Sequence, residues 1–251
     1  MSIGVAILST DRSHCLKRLL DSIQEYTETQ DLNVFVLDDS SKPTVCEYIC
    51  NAYPWVNFIH TGNRIGIANN TNHAMTHLMD YDYKIIMNND VEVLKNGWMD
   101  LYPNAMKKTG IHHFNFKQIG LWGAGTSKRP SIVQSINGVD VDTIQTDPQG
   151  AIIIYDQLAF DTVGYFDSNV FQSYGKSHWM WTFSIHESRI QIDGIHDLVG
   201  SNQYFKVHDE KCTTPSKERF ASYKRNSDTF KEEFHKLQQG KRPIYTPWEK
   251  Q

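Results

Sequence analysis

At residues 85–93 the chain reads Ile85-Ile86-Met87-Asn88-Asn89-Asp90-Val91-Glu92-Val93. A short apolar run that gives way to polar and acidic residues is typical of a buried strand ending at the edge of a sheet. A carboxylate in this position can hold a divalent cation against the phosphates of a ligand. The same composition suits a turn between two strands, so this stretch alone leaves both interpretations open.

The segments before residue 85 alternate between strand-like and helix-like patterns. Short apolar runs predict strands at residues 3–8, 34–37, 56–59 and 85–87. Apolar residues at helical spacing predict helices at residues 13–26, 45–52 and 67–79. This order predicts a parallel sheet, with polar or acidic loops gathered at its carboxyl edge. Ligands of open α/β sheets bind at that edge.

The periodicity weakens after residue 97. Further strands are predicted at residues 119–122, 132–136 and 151–155, in mixed directions, and a helix is predicted at 179–187. The pattern of residues 215–239 predicts a polar helix. One side of it carries a few apolar residues, Phe220, Tyr223, Phe230 and Phe234.

Composition places the chain among soluble globular proteins. It has 251 residues, of which 39% are hydrophobic and 22% charged. It contains no apolar run of about 18 residues and begins with no basic leader, so we expect a cytoplasmic protein without a membrane anchor.

The net charge of −4 is unevenly distributed. Residues 211–251 carry ten Lys or Arg against five Asp or Glu. A basic tail can meet phosphates, a membrane surface or an acidic substrate, but a solvated helix face is the favoured interpretation.

The four cysteines are Cys15, Cys46, Cys50 and Cys212. Cys46 and Cys50 are one helical turn apart and can share a metal ion or a bond. Free buried thiols are the favoured interpretation, because the spacing is not that of structural zinc sites.

Five stretches of the sequence together carry a family resemblance. They are Val5-Ala6-Ile7-Leu8-Ser9-Thr10-Asp11-Arg12, Val36-Leu37-Asp38-Asp39-Ser40-Ser41, Asn63-Arg64-Ile65-Gly66-Ile67-Ala68 with Asn72, Asn88-Asn89-Asp90-Val91, and Gly164-Tyr165-Phe166-Asp167. In this order and spacing they resemble the nucleotide-sugar-dependent glycosyltransferases of the GT-A fold, specifically the family 2 group.

The resemblance covers nearly the whole chain and implies its domain organisation. We expect a single GT-A-type α/β domain over residues 1–210, a Rossmann-like three-layer sandwich with a mainly parallel, partly mixed central sheet. The nucleotide-binding half would be about residues 1–95 and the acceptor-side half about 96–210. Residues 211–251 would form a basic helical extension packed on the same domain.

The family's nucleotide-binding positions correspond here to Thr10, Asp11, Arg12, Asp39, Arg64, Asn72 and Asn89. The resemblance implies that the first loop lies beneath the base and ribose. Asp39 would accept a hydrogen bond from the imide edge of uracil or thymine. Relatives often carry an arginine where this chain has Thr71, and Arg64 is our candidate substitute.

The resemblance also implies a cofactor, Mn²⁺ or Mg²⁺. Relatives usually carry Asp-x-Asp at this step, whereas here the first acid is replaced by Asn88 and Asp90 keeps the ligand position. One carboxylate, phosphate oxygens and water form a normal ligand set. His208 is our candidate for a second protein ligand, with an ordinary surface histidine as the alternative.

The catalytic base is the point of greatest departure from the family. An Asp in a Glu-Asp pair is usual there, whereas this chain has Ser177-His178. A histidine can accept a proton at neutral pH, so His178 is our candidate base and Ser177 aligns with the partner acid. Asp167 is a second candidate acid, although capping of its turn is favoured. Trp179 and Trp181 would either bind the acceptor sugar or pack in the core.

The activity implied is inverting transfer of a hexosyl or deoxyhexosyl group from a UDP- or dTDP-sugar to a hydroxyl of a glycan or other acceptor. Among possible partners, nucleic acid is expected only as an acceptor of the sugar. A non-catalytic relative that binds nucleotide sugars remains an alternative. A nucleotidyltransferase-like enzyme is a further one, although the stretch Ser9-Thr10-Asp11-Arg12-Ser13-His14 lacks the glycines that such an enzyme would need.

Overall fold

A computed structural model describes residues 1–30, 32–117, 131–145, 147–172, 174–208 and 216–248. The strands are β1 (Ile3–Ser9), β2 (Val34–Asp38), β3 (Val56–His60), β4 (Tyr83–Asn88), β5 (Val91–Val93), β6 (His113–Asn115), β7 (Ser131–Ile136), β8 (Val139–Ile144), β9 (Ile152–Asp156), β10 (Ile195–Leu198) and β11 (Phe205–Val207). The helices are α1 (Ser13–Glu25), α2 (Thr44–Cys50), α3 (Ile67–His77), α4 (Trp98–Thr109), α5 (Gln157–Val163), α6 (Ser177–Ser188) and α7 (Ser216–Gln238). The strand predicted at 119–122 lies outside the described residues.

The central sheet has the strand order β3-β2-β1-β4-β9-β6. Strands β1 to β4 are parallel, so the loops after β1, β2 and β4 meet at one edge. Strand β9 runs antiparallel to β4 and β6. It begins at the same edge, where Asn88 N–H donates to the Ala151 carbonyl at 2.9 Å. The predicted α/β fold with a mainly parallel, partly mixed sheet is confirmed.

Helices cover both faces of this sheet. Side chains of a strand alternate between faces, and β1 shows the consequence directly. Val5 and Ile7 pack in one apolar cluster with α1 and α4, whereas Ala6 and Leu8 pack in another with α3 and α6. The result is three layers with the polar loops left free at the carboxyl edge.

Two smaller sheets are also present. One has the order β10-β8-β7, and the other pairs β11 with β5 in antiparallel orientation. The second sheet matters for function because β5 directly follows Asp90. It therefore places the end of β11 beside the acidic step.

Helix α7 packs on α6. The rings of Phe230 and Phe234 lie 5.8 and 4.9 Å from that of Phe183. Phe220 was predicted on the apolar side of this helix but is 71% exposed. No helix in the described part of the chain has the length and hydropathy needed to cross a bilayer.

After α7 the chain folds back onto the turn Gly164–Asp167. Arg242 donates to Asp167 at 2.6 Å. Thr246 N–H donates to the Val163 carbonyl at 3.0 Å, and Tyr165 N–H donates to the Thr246 carbonyl at 2.9 Å. This return segment fixes both ends of the turn.

The cysteines are structural where they are described. Cys46 and Cys50 are buried free thiols, and Cys15 is buried with its Sγ 3.3 Å from His14 Nε2. Desolvation raises the pKa of Cys46 to about 11 and that of Cys50 to about 12, so both stay protonated at neutral pH. Cys212 lies outside the described residues.

Candidate active site

Asp39 ties together three loops at the carboxyl edge of the sheet. Its carboxylate accepts hydrogen bonds from the Thr10 hydroxyl, after β1, and from the Gly66 amide at 3.3 Å, ahead of α3. Its backbone carbonyl accepts the Arg64 N–H at 2.7 Å. Desolvation of this buried side chain raises its pKa, and the Thr10 hydrogen bond opposes the rise. Thr10 and Asp39, predicted to contact the same nucleoside, therefore lie in direct contact.

An ion pair between Asp11 and Arg64 joins the first and third of these loops. Both residues have positive φ angles, of 49° and 53°, a conformation that non-glycine residues seldom adopt and that recurs at functional sites. Asp11 is held by Ser40, whose Oγ accepts the Asp11 N–H at 2.7 Å. Arg64 is 43% exposed, so its guanidinium stands at the rim of the loop cluster.

Asp90 pairs with Arg12 across the same edge. Arg12 Nη1 lies 2.9 Å from Asp90 Oδ2, and the two side chains are 17% and 10% exposed. Asp90 Oδ1 is buried and has no hydrogen-bond partner in the described part of the chain. Arg12 was predicted to lie beneath the base and ribose, but the structure places its guanidinium at the predicted metal step.

Asn89 supports this step from beneath. It is fully buried, its N–H donates to the Leu8 carbonyl at 3.0 Å, and its Nδ2 lies 3.4 Å from Ser9 Oγ. These contacts tie the step to β1. They argue against the predicted direct contact between Asn89 and a nucleotide, because the side chain points into the protein.

His208 is not joined to Asp90 through its side chain. Its backbone N–H donates to the Asp90 carbonyl at 2.9 Å, whereas its ring Nε2 lies 2.6 Å from Glu92 Oε2. We therefore revise the predicted metal-ligand role of His208: pairing of β11 with β5 brings the backbone to Asp90 and directs the ring to Glu92.

The residues present fit a divalent cation only in part. Within the described ranges, no group of three His, Cys, Asp or Glu side chains is arranged as a metal site. Asp90 Oδ1, however, is a buried anionic oxygen to which no described residue donates a hydrogen bond, and a hard cation prefers such an oxygen as a ligand. A cation at Asp90 would therefore depend on oxygens supplied by the ligand.

His178 lies in the first turn of α6, at the same edge of the sheet. Its Nε2 lies 3.2 Å from the Pro148 carbonyl, and a Cβ at Gly150 would come within 3.1 Å of its ring. Gly150 precedes Ala151, the hydrogen-bond partner of Asn88, so the ring is close to the acidic step. Desolvation lowers the pKa of His178 to about 4, against a smaller opposing effect of the Pro148 hydrogen bond.

Ser177 does not assist this ring. It is 2% exposed, and its Oγ has no hydrogen-bond partner among the described residues. The predicted alignment with a catalytic acid therefore has no counterpart in a contact with His178.

The two tryptophans differ in burial. Trp181 is 3% exposed and donates its indole N–H to the Gly164 carbonyl at 2.8 Å, so it packs in the core, which was one of its two predicted roles. Trp179 is only partly buried; Lys176 Nζ lies 2.7 Å from its ring centre, and Phe230 packs edge-on at 5.5 Å. Acceptor binding by Trp179 stays a prediction.

Asn72 also has a different role from the one predicted. Its Nδ2 donates to the Phe166 carbonyl at 2.9 Å and its Oδ1 accepts the Phe166 N–H at 2.8 Å. The side chain is fully buried. Asn72 therefore fixes the turn Gly164–Asp167 to α3 rather than facing a nucleotide. Asp167 caps that turn, as favoured from the sequence, by accepting the Val170 N–H at 3.0 Å.

Asn226 is a site residue that the sequence analysis missed. It is fully buried in the middle of α7, and its Nδ2 lies 2.9 to 3.0 Å from the carbonyls of Gln172, Tyr174 and Gly175. These residues form the loop that leads into His178. The available signal was its spacing, because Asn226 is three residues after Tyr223 and four before Phe230 on the inward face.

We expect Asn226→Ala to lower the free energy of unfolding by about 1–3 kcal/mol, because carbonyls of the loop lose a buried donor. Chemical denaturation of the variant and the parent measures the difference. Lys224→Ala, at an exposed position of the same helix, is the control and should change stability by less than about 0.5 kcal/mol. Equal effects of the two substitutions would contradict the bracing role.

The loops and the sheet order can be compared with known proteins. Residues 5–119, a little under half of the chain, match the model of glycosyl transferase family 2. This part of the chain is similar to the family 2 glycosyl transferases. No curated protein matches the sequence.

Solved structures share the fold at low sequence identity. The crystal structure of GalNAc-T7 with UDP, GalNAc and Mn²⁺ has a TM-score of 0.64 at 13% identity and covers 93% of this chain. That of Staphylococcus aureus TarS 1-349 with UDP-GlcNAc has a TM-score of 0.59 at 12% identity and covers 94%. The mannosyltransferase PcManGT from Pyrobaculum calidifontis, with GDP-Man and Mn²⁺, has a TM-score of 0.54 at 12% identity and covers 74%.

The chain spans only part of these proteins. It corresponds to 50% of the GalNAc-T7 chain, 73% of the TarS 1-349 chain and 52% of the PcManGT chain. It corresponds to 38% of a longer S. aureus TarS chain, with a TM-score of 0.57 at 15% identity and 88% of this chain covered. These similarities establish the GT-A architecture.

Proposed function

We propose that this chain is an inverting glycosyltransferase. It would move a hexosyl or deoxyhexosyl group from a UDP- or dTDP-sugar to a hydroxyl of a glycan or other acceptor, with Mn²⁺ or Mg²⁺ at Asn88-Asn89-Asp90. The observation that carries the proposal is the convergence of Thr10, Asp39, Arg12 and Asp90 at the carboxyl edge of the sheet. Solved structures of this fold contain UDP, UDP-GlcNAc or GDP-Man, which supports a nucleotide-sugar donor.

The nucleoside end of the proposed donor site is built around Asp39. Thr10 and Gly66 hold its carboxylate, so it can accept the single imide N–H of uracil or thymine without first reorienting. Arg64 at the rim and the backbone of the first loop would enclose the ribose. This geometry supports a uridine or thymidine nucleotide.

The diphosphate end would lie at Arg12 and Asp90. A guanidinium is a geometric match for phosphate oxygens, and its charge stabilises a departing diphosphate. A divalent cation held by Asp90 would neutralise further charge on the leaving group. Asn89 keeps the carboxylate in place through its contacts with β1.

His178 is the proposed acceptor of the hydroxyl proton. Its low pKa keeps the imidazole neutral at pH 7. If Nε2 carries the ring proton and donates it to the Pro148 carbonyl, the lone pair on Nδ1 is free to take the proton from the acceptor. Inversion follows if the hydroxyl attacks the anomeric carbon opposite the diphosphate.

A non-catalytic relative remains the second candidate function. It is favoured by one observation, that Ser177-His178 stands where the family usually has Glu-Asp and that Ser177 makes no contact with the ring. Such a protein would bind nucleotide sugars without transferring or hydrolysing them.

A panel of UDP-, dTDP- and GDP-sugars, assayed for binding, hydrolysis and transfer with and without Mn²⁺, tests the proposal. We expect binding and slow hydrolysis with UDP- or dTDP-sugars, stimulated by Mn²⁺. Binding without turnover would favour the non-catalytic alternative. Absence of nucleotide binding under every condition would rule out both.

A further inference from the structure

We propose that Arg12 occupies Asp90 in the nucleotide-free chain and exchanges it for the diphosphate, so that divalent-cation binding depends on the nucleotide. The inference rests on the proposed function, because it concerns the same donor site. It adds a role for Arg12, which would control when the Asp90 carboxylate is available to the cation.

The geometry of the pair carries the first step. Arg12 Nη1 is 2.9 Å from Asp90 Oδ2, and both side chains are largely buried. At this distance and burial the guanidinium neutralises the carboxylate more effectively than a solvent-exposed cation would. A second cation approaching Asp90 therefore meets a carboxylate whose charge is already compensated.

The second step rests on the other oxygen of the Asp90 carboxylate. Among the described residues, buried Asp90 Oδ1 has no hydrogen-bond partner, and Arg12 contacts only Oδ2. An anionic oxygen left unpaired in the protein is costly. The site is consequently prepared to accept a further positive partner once the guanidinium moves away.

The third step is the exchange itself. Arginine binds phosphate through paired N–H groups, and a diphosphate offers it more acceptor oxygens than the one that Asp90 provides. Movement of Arg12 to the diphosphate would free Oδ2 while bringing phosphate oxygens to complete the shell of the cation. Nucleotide and cation would then each raise the affinity of the other, as linkage requires.

Mn²⁺ binding tests the exchange without measuring catalysis. The full chain and its Arg12→Gln variant are titrated with Mn²⁺ with and without UDP, the Arg64→Gln variant is titrated without UDP, and free Mn²⁺ is followed by electron paramagnetic resonance. Without UDP, we expect Arg12→Gln to bind Mn²⁺ about tenfold more tightly than the parent, because the competing charge-assisted bond is gone. In the titration without UDP, Arg64→Gln should bind Mn²⁺ as the parent does, because Arg64 pairs with Asp11 and not with Asp90; it is not used with UDP, since Arg64 belongs to the proposed nucleotide site.

UDP provides the second readout. In the parent chain it should tighten Mn²⁺ binding about tenfold or more, whereas in Arg12→Gln this gain should be much smaller. If, without UDP, Arg12→Gln binds Mn²⁺ no more tightly than the parent does, the proposed exchange is wrong. An equal gain from UDP in both chains would overturn it as well.

The double variant Arg12→Gln/Asp90→Asn separates this inference from the proposed function. Loss of the tighter Mn²⁺ binding in the double variant places the cation at Asp90, as both proposals require. Retention of tight binding would show that the cation sits elsewhere, and then the proposed metal site itself fails. Thermal denaturation of each variant confirms that the chains compared are folded.

Discussion

Replacing His178 with alanine is expected to slow sugar transfer by about 10²- to 10⁴-fold while leaving nucleotide affinity unchanged. The reason is positional: the ring lies in the first turn of α6 against Pro148 and Gly150, away from the loops that hold Asp39. Single-turnover transfer with saturating donor measures the rate, and calorimetry with UDP measures the affinity.

Two further substitutions sharpen the test of His178. His178→Gln keeps an amide N–H for the Pro148 carbonyl but cannot accept a proton, so it should be as slow as the alanine variant. His186→Ala removes a histidine from the last turn of the same helix and should transfer at the parent rate. Substantial turnover by His178→Gln would remove His178 from the base role.

The pH dependence of transfer is part of the same prediction. A histidine accepts a proton in its neutral form, and a pKa of about 4 leaves His178 neutral at all higher pH values. We therefore expect kcat/KM to show no loss between about pH 8 and about pH 5 from this group, and to fall only toward about pH 4. An acid limb near the ordinary histidine pKa of about 6.5 would contradict a desolvated His178 as base.

Asp90→Asn is expected to remove the response of the protein to Mn²⁺ and to reduce transfer by about 10²- to 10³-fold. The amide keeps the shape of the side chain but lacks the negative charge that a cation needs. UDP binding measured with and without Mn²⁺ should become equal in this variant. An unchanged Mn²⁺ response would place the metal site elsewhere.

Glu92→Gln is the matched control for Asp90→Asn. Glu92 is two residues away on β5, and its carboxylate is paired with the His208 ring at 2.6 Å. Because that pair is separate from Asp90 in the structure, Glu92→Gln should retain the Mn²⁺ response. His208→Ala should also retain it, which distinguishes the observed geometry from a shell completed by this histidine.

The sequence allowed the nucleotide-binding half to be predicted nearly element by element. Strands β1, β2 and β4 are short apolar runs that are largely buried, so local pattern and global fold agree. The part of the chain after residue 95 was predicted less fully. Strands β6, β8 and β10 were missed because they lack the continuous apolar runs that mark β1, β2 and β4.

Site residues were predicted by type and position but not by partner. Thr10, Asp39 and Asp90 line the expected edge because the ends of parallel strands must meet there. The roles of Asn72 and Trp181 depend on which groups they contact across the fold, and a sequence does not list those neighbours. The backbone of Phe166 uses the Asn72 amide, and the Gly164 carbonyl uses the Trp181 indole.

The return of the chain after α7 has a consequence for biosynthesis. Asn226 holds the loop before His178, and Thr246 bonds to Val163 and Tyr165. A ribosome-bound chain from which residues 1–190 have emerged can thus form the loops after β1, β2 and β4, but it lacks the residues that fix the loop before α6. We expect nascent chains to bind nucleotide first. The loop before α6 should become ordered only when residues 216–248 have been translated.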